Sequence, residues 1–362
     1  MVQSGKSSSK KSRSQLEYPF ATAPGPGQAL EVVPGVFWAC LPLPGGAAPV
    51  NVWAIADGEG LAVVDTGVNT QKTAAAWSQM FAGAFAGRPV TRVFVTHWHP
   101  DHAGMAGWMT RKFACRLWIT QLEYLTCRVM AKEWGQSVSQ DGISFYQNAG
   151  WDAERIDTYL ACIGDVRKRI SAPPDSFQRM RDGDRFAIGE HDWRVVVGNG
   201  HSPEHACLYC PDLRLLISGD QVLPEVSSVL MVGPIEPNAD PVTDWMTSLA
   251  KLKRELPDDV LVLPSHQQPF RNLHARLDDL TREKEHMLQR LRLALNEPKR
   301  VTDLFGDLFG SKTYSDPILF GWVTGSTIAS LNHLLGRGEL VKRADTAGAL
   351  WYSLAQAAVL TR

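Results

Sequence analysis

From residue 30 onward the chain alternates short apolar runs with polar breaks. VFWACLP at 36–42, NVWAIAD at 51–57 and GLAVVD at 60–65 are each bounded by Gly, Pro or Asp, which predicts successive β-strands. The Ala-rich stretch at 70–86 has helical spacing, and RVFVTH at 92–97 reads as a buried strand. Strand and helix interleave here, so the expected fold class is α/β. Residues 120–180 break the rhythm. Three helical patterns (120–134, 139–149 and 153–170) lead into the turn-forming APPD at 172–175. Strand patterns then return in WRVVVGNGH at 193–201, ACLYC at 206–210 and LRLLISGD at 213–220. A helix near 242–255 precedes VLVLPSH at 260–266, and the chain from about 273 is mainly helical. Its last patterned stretch, LVKRADTAGALWYSL, reads as a two-stranded wing. Residues 1–29, polar and then Pro/Gly-rich, are expected to form a flexible tail. This divides the chain into a tail at 1–29, a sheet-containing domain at 30–272 with an insertion at about 120–180, and a helical domain at 273–362.

Composition narrows the function classes. Lys and Arg total 37 against 38 for Asp and Glu, a net charge of -1, which excludes a strongly basic nucleic-acid binder. No apolar run approaches the roughly 20 residues of a membrane span, so no membrane partner is expected. The basic, Ser-rich start MVQSGKSSSKKSRSQ lacks the apolar stretch of a secretory signal, and six cysteines make no disulfide framework in so long a chain. A reducing, cytoplasmic location is the expectation. Cys207 and Cys210 form one CxxC with no second pair to complete a zinc knuckle, so both read as core strand residues.

The histidines carry the chemistry. THWHPDHAG at 96–104 places His97, His99, Asp101 and His102 within six residues, directly after an apolar strand. Rings two residues apart on extended backbone point the same way, and the Ala-Gly that follows permits close backbone approach. These side chains do not complete a metal shell alone. Three further candidates each end an apolar strand: His201 after WRVVVGNG, Asp220 after LLISG and His266 after VLVLPS. Strand ends along one sheet edge are where residues distant in sequence converge.

In this order, HxHxDH, GHSPEH at 200–205, SGD at 218–220 and PSHQQP at 264–269 resemble the metallo-β-lactamase fold superfamily of metal-dependent hydrolases over about residues 30–272. The resemblance implies an αββα sandwich. It implies one metal at His97, His99 and His201, a second at Asp101, His102 and His266, and Asp220 bridging the two. It further implies that Asp101 orients a metal-bridging hydroxide. VVDTG at 63–67 resembles the superfamily's early Asp strand, which makes Asp65 a brace for the ligand loop. The implied cofactors are two divalent ions, zinc first, with iron or manganese served by the same ligands. The implied activity is hydrolysis of a small-molecule ester, thioester or related substrate. Alternatives are a mononuclear iron enzyme resembling the persulfide dioxygenases, a single-strand endoribonuclease, and a binding protein that keeps the site without turnover. Glu replaces His99 in the di-iron flavoprotein branch, which the sequence therefore does not match.

Several residues have two readings. His205 either hydrogen-bonds near the site or serves structure alone, and His274 with Arg271 either lines the cleft or lies outside it. Trp134, Phe145, Tyr146, Trp151 and Tyr159 form a lid over the site or a core of the insertion, the second being favoured. The carboxy-terminal part resembles the winged-helix-like tail of the branch that includes the lactamase-like protein type 2. Its candidate recognition helix, 318–335, contains no Lys or Arg, so no DNA partner is expected and the unit reads as a packing or homodimerisation element.

Overall fold

The computed structural model describes residues 16–133, 139–163, 166–310 and 316–355. Trp134 and most of the expected amino-terminal tail lie outside them. Seven strands form the first sheet in chain order: β1 (Ala29–Val33), β2 (Val36–Leu41), β3 (Val50–Asp57), β4 (Gly60–Val64), β5 (Val90–Phe94), β6 (Arg116–Ile119) and β7 (Gln178–Arg179). Its first half is an antiparallel meander, and β4 through β7 run parallel. The second sheet contains β8 (Arg185–Ile188), β9 (His191–Gly198), β10 (His205–Cys210), β11 (Leu215–Gly219) and β12 (Leu261–Pro264). Ten helices are described: α1 (Gln71–Ala82), α2 (Pro100–Ala103), α3 (Ala106–Phe113), α4 (Gln121–Glu133), α5 (Gln140–Asn148), α6 (Ala153–Ile163), α7 (Pro241–Glu255), α8 (Leu273–Ala294), α9 (Phe305–Phe309) and α10 (Pro317–Gly336). A hairpin of β13 (Leu340–Ala344) and β14 (Leu350–Leu354) follows where the wing was expected.

The period-two pattern decides the layering. In β2, Trp38 and Cys40 point between the sheets, while Ala39 and Leu41 pack on the opposite face. The inner layer joins Trp53, Phe94, Trp193, Leu208 and Ile217. The outer face of the first sheet is covered by Trp77, Met80 and Met109 from α1 and α3. The outer face of the second sheet, with Val196, Leu216 and Val262, is covered by α7, and α8 and α10 pack against α7 in the same apolar cluster. The result is the expected αββα sandwich with a helical carboxy-terminal part. Cys207 belongs to the outer layer of β10 and Cys210 to the inner one, so these two buried free thiols face opposite ways.

Several boundaries differ from the sequence reading. The pattern at 70–86 is helical only to Ala82, because Gly83 caps it. The helix expected over 153–170 ends at Ile163, and Val166–Arg169 is a short 3₁₀ turn. The described aromatics of the insertion form neither a lid nor a private core. Trp151 lies 4.8 Å from Phe320 and donates its indole N–H to Thr324 Oγ1 at 3.1 Å, so Tyr146, Trp151 and Tyr159 pack with α10. Twelve residues of α10 are buried. It is the only helix among the described residues long and apolar enough to cross a membrane, and those residues spend that apolarity on the core.

Candidate metal centre

The site forms where β4, β5, β11 and β12 end on one edge of the two sheets. Asp65 follows β4 in a left-handed conformation (φ 63°) and is buried. Its Oδ1 accepts from Thr96 N at 2.8 Å. Its Oδ2 accepts from Thr96 Oγ1 at 2.8 Å and from His102 Nδ1 at 2.8 Å. One carboxylate therefore ties the end of β5 to α2. A Cβ at Gly104 would collide with the Pro100 and Gly67 carbonyls, so the glycine lets α2 lie directly on the β4 loop.

Three ring nitrogens meet beside this brace. His97 Nε2 lies 2.9 Å from His99 Nδ1 and 3.2 Å from His201 Nε2. The far nitrogens of His97 and His201 are occupied. Thr96 Oγ1, having given its proton to Asp65, accepts from His97 Nδ1 at 3.0 Å, and Val229 O accepts from His201 Nδ1 at 2.8 Å. These bonds leave both Nε2 atoms as bare lone pairs pointing at each other. Burial holds His97 well below the ordinary imidazole range and His99 down to about 3, with neighbouring histidines adding to both shifts. Two apposed lone pairs that resist protonation call for a cation between them.

Asp220 joins this group to a second one. Its Oδ2 lies 3.4 Å from His201 Nε2 and 3.7 Å from His102 Nε2, and its Oδ1 lies 3.5 Å from His266 Nε2. Asp101 Oδ2 stands 3.5 Å from His102 Nε2 and 3.4 Å from His266 Nε2. His97, His99, His201 and Asp220 offer donor atoms within 4.8 Å of one another, as do Asp101, His102 and His266. Ligands at the zinc–nitrogen distance of about 2.0–2.1 Å in tetrahedral array stand roughly 3.3 Å apart. The observed separations of 2.9–3.7 Å bracket that value. Buried His102 Nε2 and Asp220 Oδ1 have no hydrogen-bond partner among the described residues. Burial opposes charge on His102, yet Asp101, Asp220 and Asp65 together raise it well above the usual range. The carboxylates favour positive charge at this point. The donor set fits two divalent ions.

Every ligand candidate read from the sequence, together with Asp65, is brought to this edge. His205 is buried but offers no nitrogen to the cluster. Its Nε2 accepts from Asp220 N at 3.0 Å, and its ring stacks against His97 at 4.8 Å. A Cβ on Gly219 would collide with that ring, so the glycine permits the contact. His274 and Arg271 do not line the cleft. After β12 the chain reverses, with Phe270 pairing back onto Val262, and both residues return to the strand's opposite end. There His274 Nε2 donates to Leu256 O and Arg271 to Asp259 O.

Two braces carried no sequence signal. Asn51 donates to Pro264 O at 2.8 Å and Gln267 O at 2.7 Å, fixing the turn that holds His266. Glu123, a lone acidic residue in the first turn of α4, is fully buried and accepts from Trp98 N at 2.9 Å and Glu204 N at 2.7 Å. It thereby joins the HxH loop to the His201 loop. Burial raises its carboxyl from 4.5 to about 7, despite lowering by the Glu204 and Trp98 amides and Ser202, with the Glu204 charge adding to the rise. A carboxyl raised on folding contributes stability below its unfolded value that is lost as pH climbs through 7. Glu123→Gln is therefore expected to flatten the decline in metal-free stability between pH 5 and 8.5, by up to about 3 kcal/mol. Urea denaturation of both proteins across that range measures the difference; parallel curves would refute it.

Comparison with known proteins agrees with this geometry. Residues 45–266 match the family described as Metallo-beta-lactamase superfamily. A solved β-lactamase domain protein from Burkholderia ambifaria superposes with a TM-score of 0.86 at 34% identity, covering 94% of this chain and 98% of that one. A hydroxyacylglutathione hydrolase from Rhizobium etli is 24% identical over 51% of this chain and 52% of its own length, so the chain spans about half of that relative. A β-lactamase-like protein 2 homolog from Caenorhabditis elegans is 21% identical over 70% of this chain and 68% of its own.

Proposed function

The chain belongs to the metallo-β-lactamase superfamily, and from that premise we propose that it is a dinuclear metal-dependent hydrolase of a small ester or thioester with an apolar acyl group. The observation that carries the reading is the convergence of seven donor side chains in two groups sharing Asp220. His97, His99 and His201 would hold one ion, and Asp101, His102 and His266 the other. Two such ions, zinc by preference for a His/Asp set, supply an activated water and polarise the carbonyl oxygen. The protein's own groups prepare the rest. Thr96, Val229 and Asp65 fix the tautomers of His97, His201 and His102. Asp101, a quarter exposed, would accept a hydrogen bond from the attacking water and orient it.

The acyl preference rests on two segments with exposed apolar side chains, each hydrogen-bonded to the loop that carries His201. Of fifteen exposed large hydrophobic residues among those described, Val226, Val229, Met231 and Ile235 follow Asp220. Leu122, Leu125 and Val129 lie on α4, whose Leu122 N bonds Glu204 Oε2 at 2.9 Å. Nearly half of the exposed apolar side chains thus sit on two segments bonded to the His201 loop, which favours an apolar group over a charged one. The carboxy-terminal unit is read as a packing element, since α10 is mostly buried.

The test is metal analysis with a substrate panel. Two ions per chain are expected, with hydrolysis of acyl thioesters or esters that is lost on chelation and restored by zinc. About one iron per chain, with oxygen consumption on a persulfide, would overturn the reading, and so would a chelated protein that still turns over.

A further inference from the structure

We infer that Arg276, on the first helix of the carboxy-terminal part, is a positioning residue that sets the metal centre through the loop at 221–229. The inference rests on the metal-dependent reading above and adds to it the way in which α8 is required. The segment QVLPEVSSV at 221–229 has no strand or helix of its own, so other groups must satisfy its backbone and fix its course. Arg276 does this from α8. It is 3% exposed, and its Nε donates to Leu223 O at 2.6 Å and its Nη2 to Val226 O at 2.9 Å. Its Nη1 pairs with Glu283 Oε1 at 3.2 Å, and the other oxygen of Glu283 accepts from Ser227 Oγ at 2.8 Å. Positions 276 and 283 are two helical turns apart, so both side chains project from one face of α8. A planar guanidinium holds two carbonyls at a fixed angle, which a flexible ammonium does not.

The clamped loop bonds two of the candidate ligands contributed by the second half of the chain, Asp220 and His201, and the residue next to the third, His266. Ser228 Oγ donates to the carbonyl of Asp220. Val229 O accepts from His201 Nδ1 at 2.8 Å and so keeps the lone pair of Nε2 aimed at the site. Glu225 N donates to Gln267 Oε1 at 3.0 Å, and Gln267 Nε2 to Glu225 Oε2 at 3.3 Å, beside His266. Leu223 and Val226, the two carbonyls that Arg276 holds, bracket the residue that reaches Gln267. If the loop shifts, the Val229 carbonyl no longer dictates the His201 tautomer. Loss of such an outer partner lowers metal affinity by about 10–100-fold.

The test uses the full chain with Arg276→Met, Arg276→Lys and Glu283→Gln. Zinc affinity is measured by competition with a chromophoric chelator, the visible spectrum of the cobalt-loaded protein reports ligand geometry, and hydrogen exchange follows the 222–229 amides. Arg276→Met is expected to bind zinc about 10–100-fold more weakly, with an altered cobalt spectrum and faster exchange. At saturating zinc, kcat falls while KM holds. Arg276→Lys restores part of the affinity, and Glu283→Gln gives an intermediate loss. A folded Arg276→Met with wild-type affinity and an unchanged spectrum overturns the proposal. If Arg276→Met does not fold, unchanged affinity and exchange in Glu283→Gln overturn it instead. A wild-type protein that binds no metal defeats the metal-dependent reading separately; unchanged amide protection in the variants then defeats the clamp as well.

Discussion

Asp220→Ala is expected to leave a folded protein that holds one divalent ion or fewer and hydrolyses its substrate at least about 10³-fold more slowly. Asp220 alone among the donors faces both groups, with Oδ2 at 3.4 Å from His201 and Oδ1 at 3.5 Å from His266. Truncating any other ligand empties one side of the centre; truncating this one loosens both. Its carboxyl is held below the usual carboxylate range because, although burial opposes ionisation, His266 and His102 favour the charged form. A carboxyl lowered on folding contributes stability above its unfolded value, and its removal leaves the buried histidines without their counter-charge. The metal-free variant should therefore unfold more readily than the metal-free parent while still folding. Metal content by mass spectrometry, turnover, and thermal denaturation without metal give three separate readings. Two tightly held ions in the variant, or turnover within tenfold of the parent, would show that Asp220 does not join the ions.

Most of this centre was legible because its residues are marked by local pattern. His97, His99, Asp101 and His102 stand together, and His201, Asp220 and His266 each end an apolar strand that the period-two rule identifies. Convergence then follows from sheet topology, since β4, β5, β11 and β12 end on one edge. The groups that aim these ligands left no such mark. Glu123 is an ordinary acidic residue in a helix's first turn, and Val229 acts through a carbonyl that every residue possesses. Arg276 works from more than fifty residues beyond Asp220. Their roles depend on which carbonyl or amide stands opposite, a property of the packed chain. The same limit explains His274. Its position eight residues after His266 suggested the cleft, but pairing of Phe270 with Val262 turns the chain back along β12. It also explains the insertion, whose rings found their partners on α10 about 170 residues later, where Trp151 meets Phe320 and Thr324.

The second large effect belongs to Asp65, where one atom separates a lost fold from a lost metal. Asp65→Ala removes the acceptor for Thr96 N, Thr96 Oγ1 and His102 Nδ1 in a site that excludes water, and breaking a buried pair in this way costs about 3–5 kcal/mol. Asp65→Asn keeps the shape. Its amide oxygen can still accept from Thr96 N, which places the NH₂ against Thr96 Oγ1 and His102 Nδ1. The hydroxyl can rotate to accept. His102 can accept only by moving its proton from Nδ1 to Nε2, and Nε2 is the buried atom without a hydrogen-bond partner among the described residues. In that tautomer the ring has no lone pair for a metal. Asp65→Asn is therefore expected to fold with a modest loss of stability, to retain the ion at His97, His99 and His201, and to lose the one at Asp101, His102 and His266. Turnover should fall by about 10²–10⁴-fold, the scale on which a wrong imidazole tautomer acts elsewhere. Asp65→Ala should lower the melting temperature of metal-free protein well beyond what Asp65→Asn does. Equal metal content in Asp65→Asn and the parent would mean that His102 is aimed by something other than this carboxylate. An Asp65→Asn protein as unstable as Asp65→Ala would make the charge of Asp65, and not its control of the tautomer, the source of the effect.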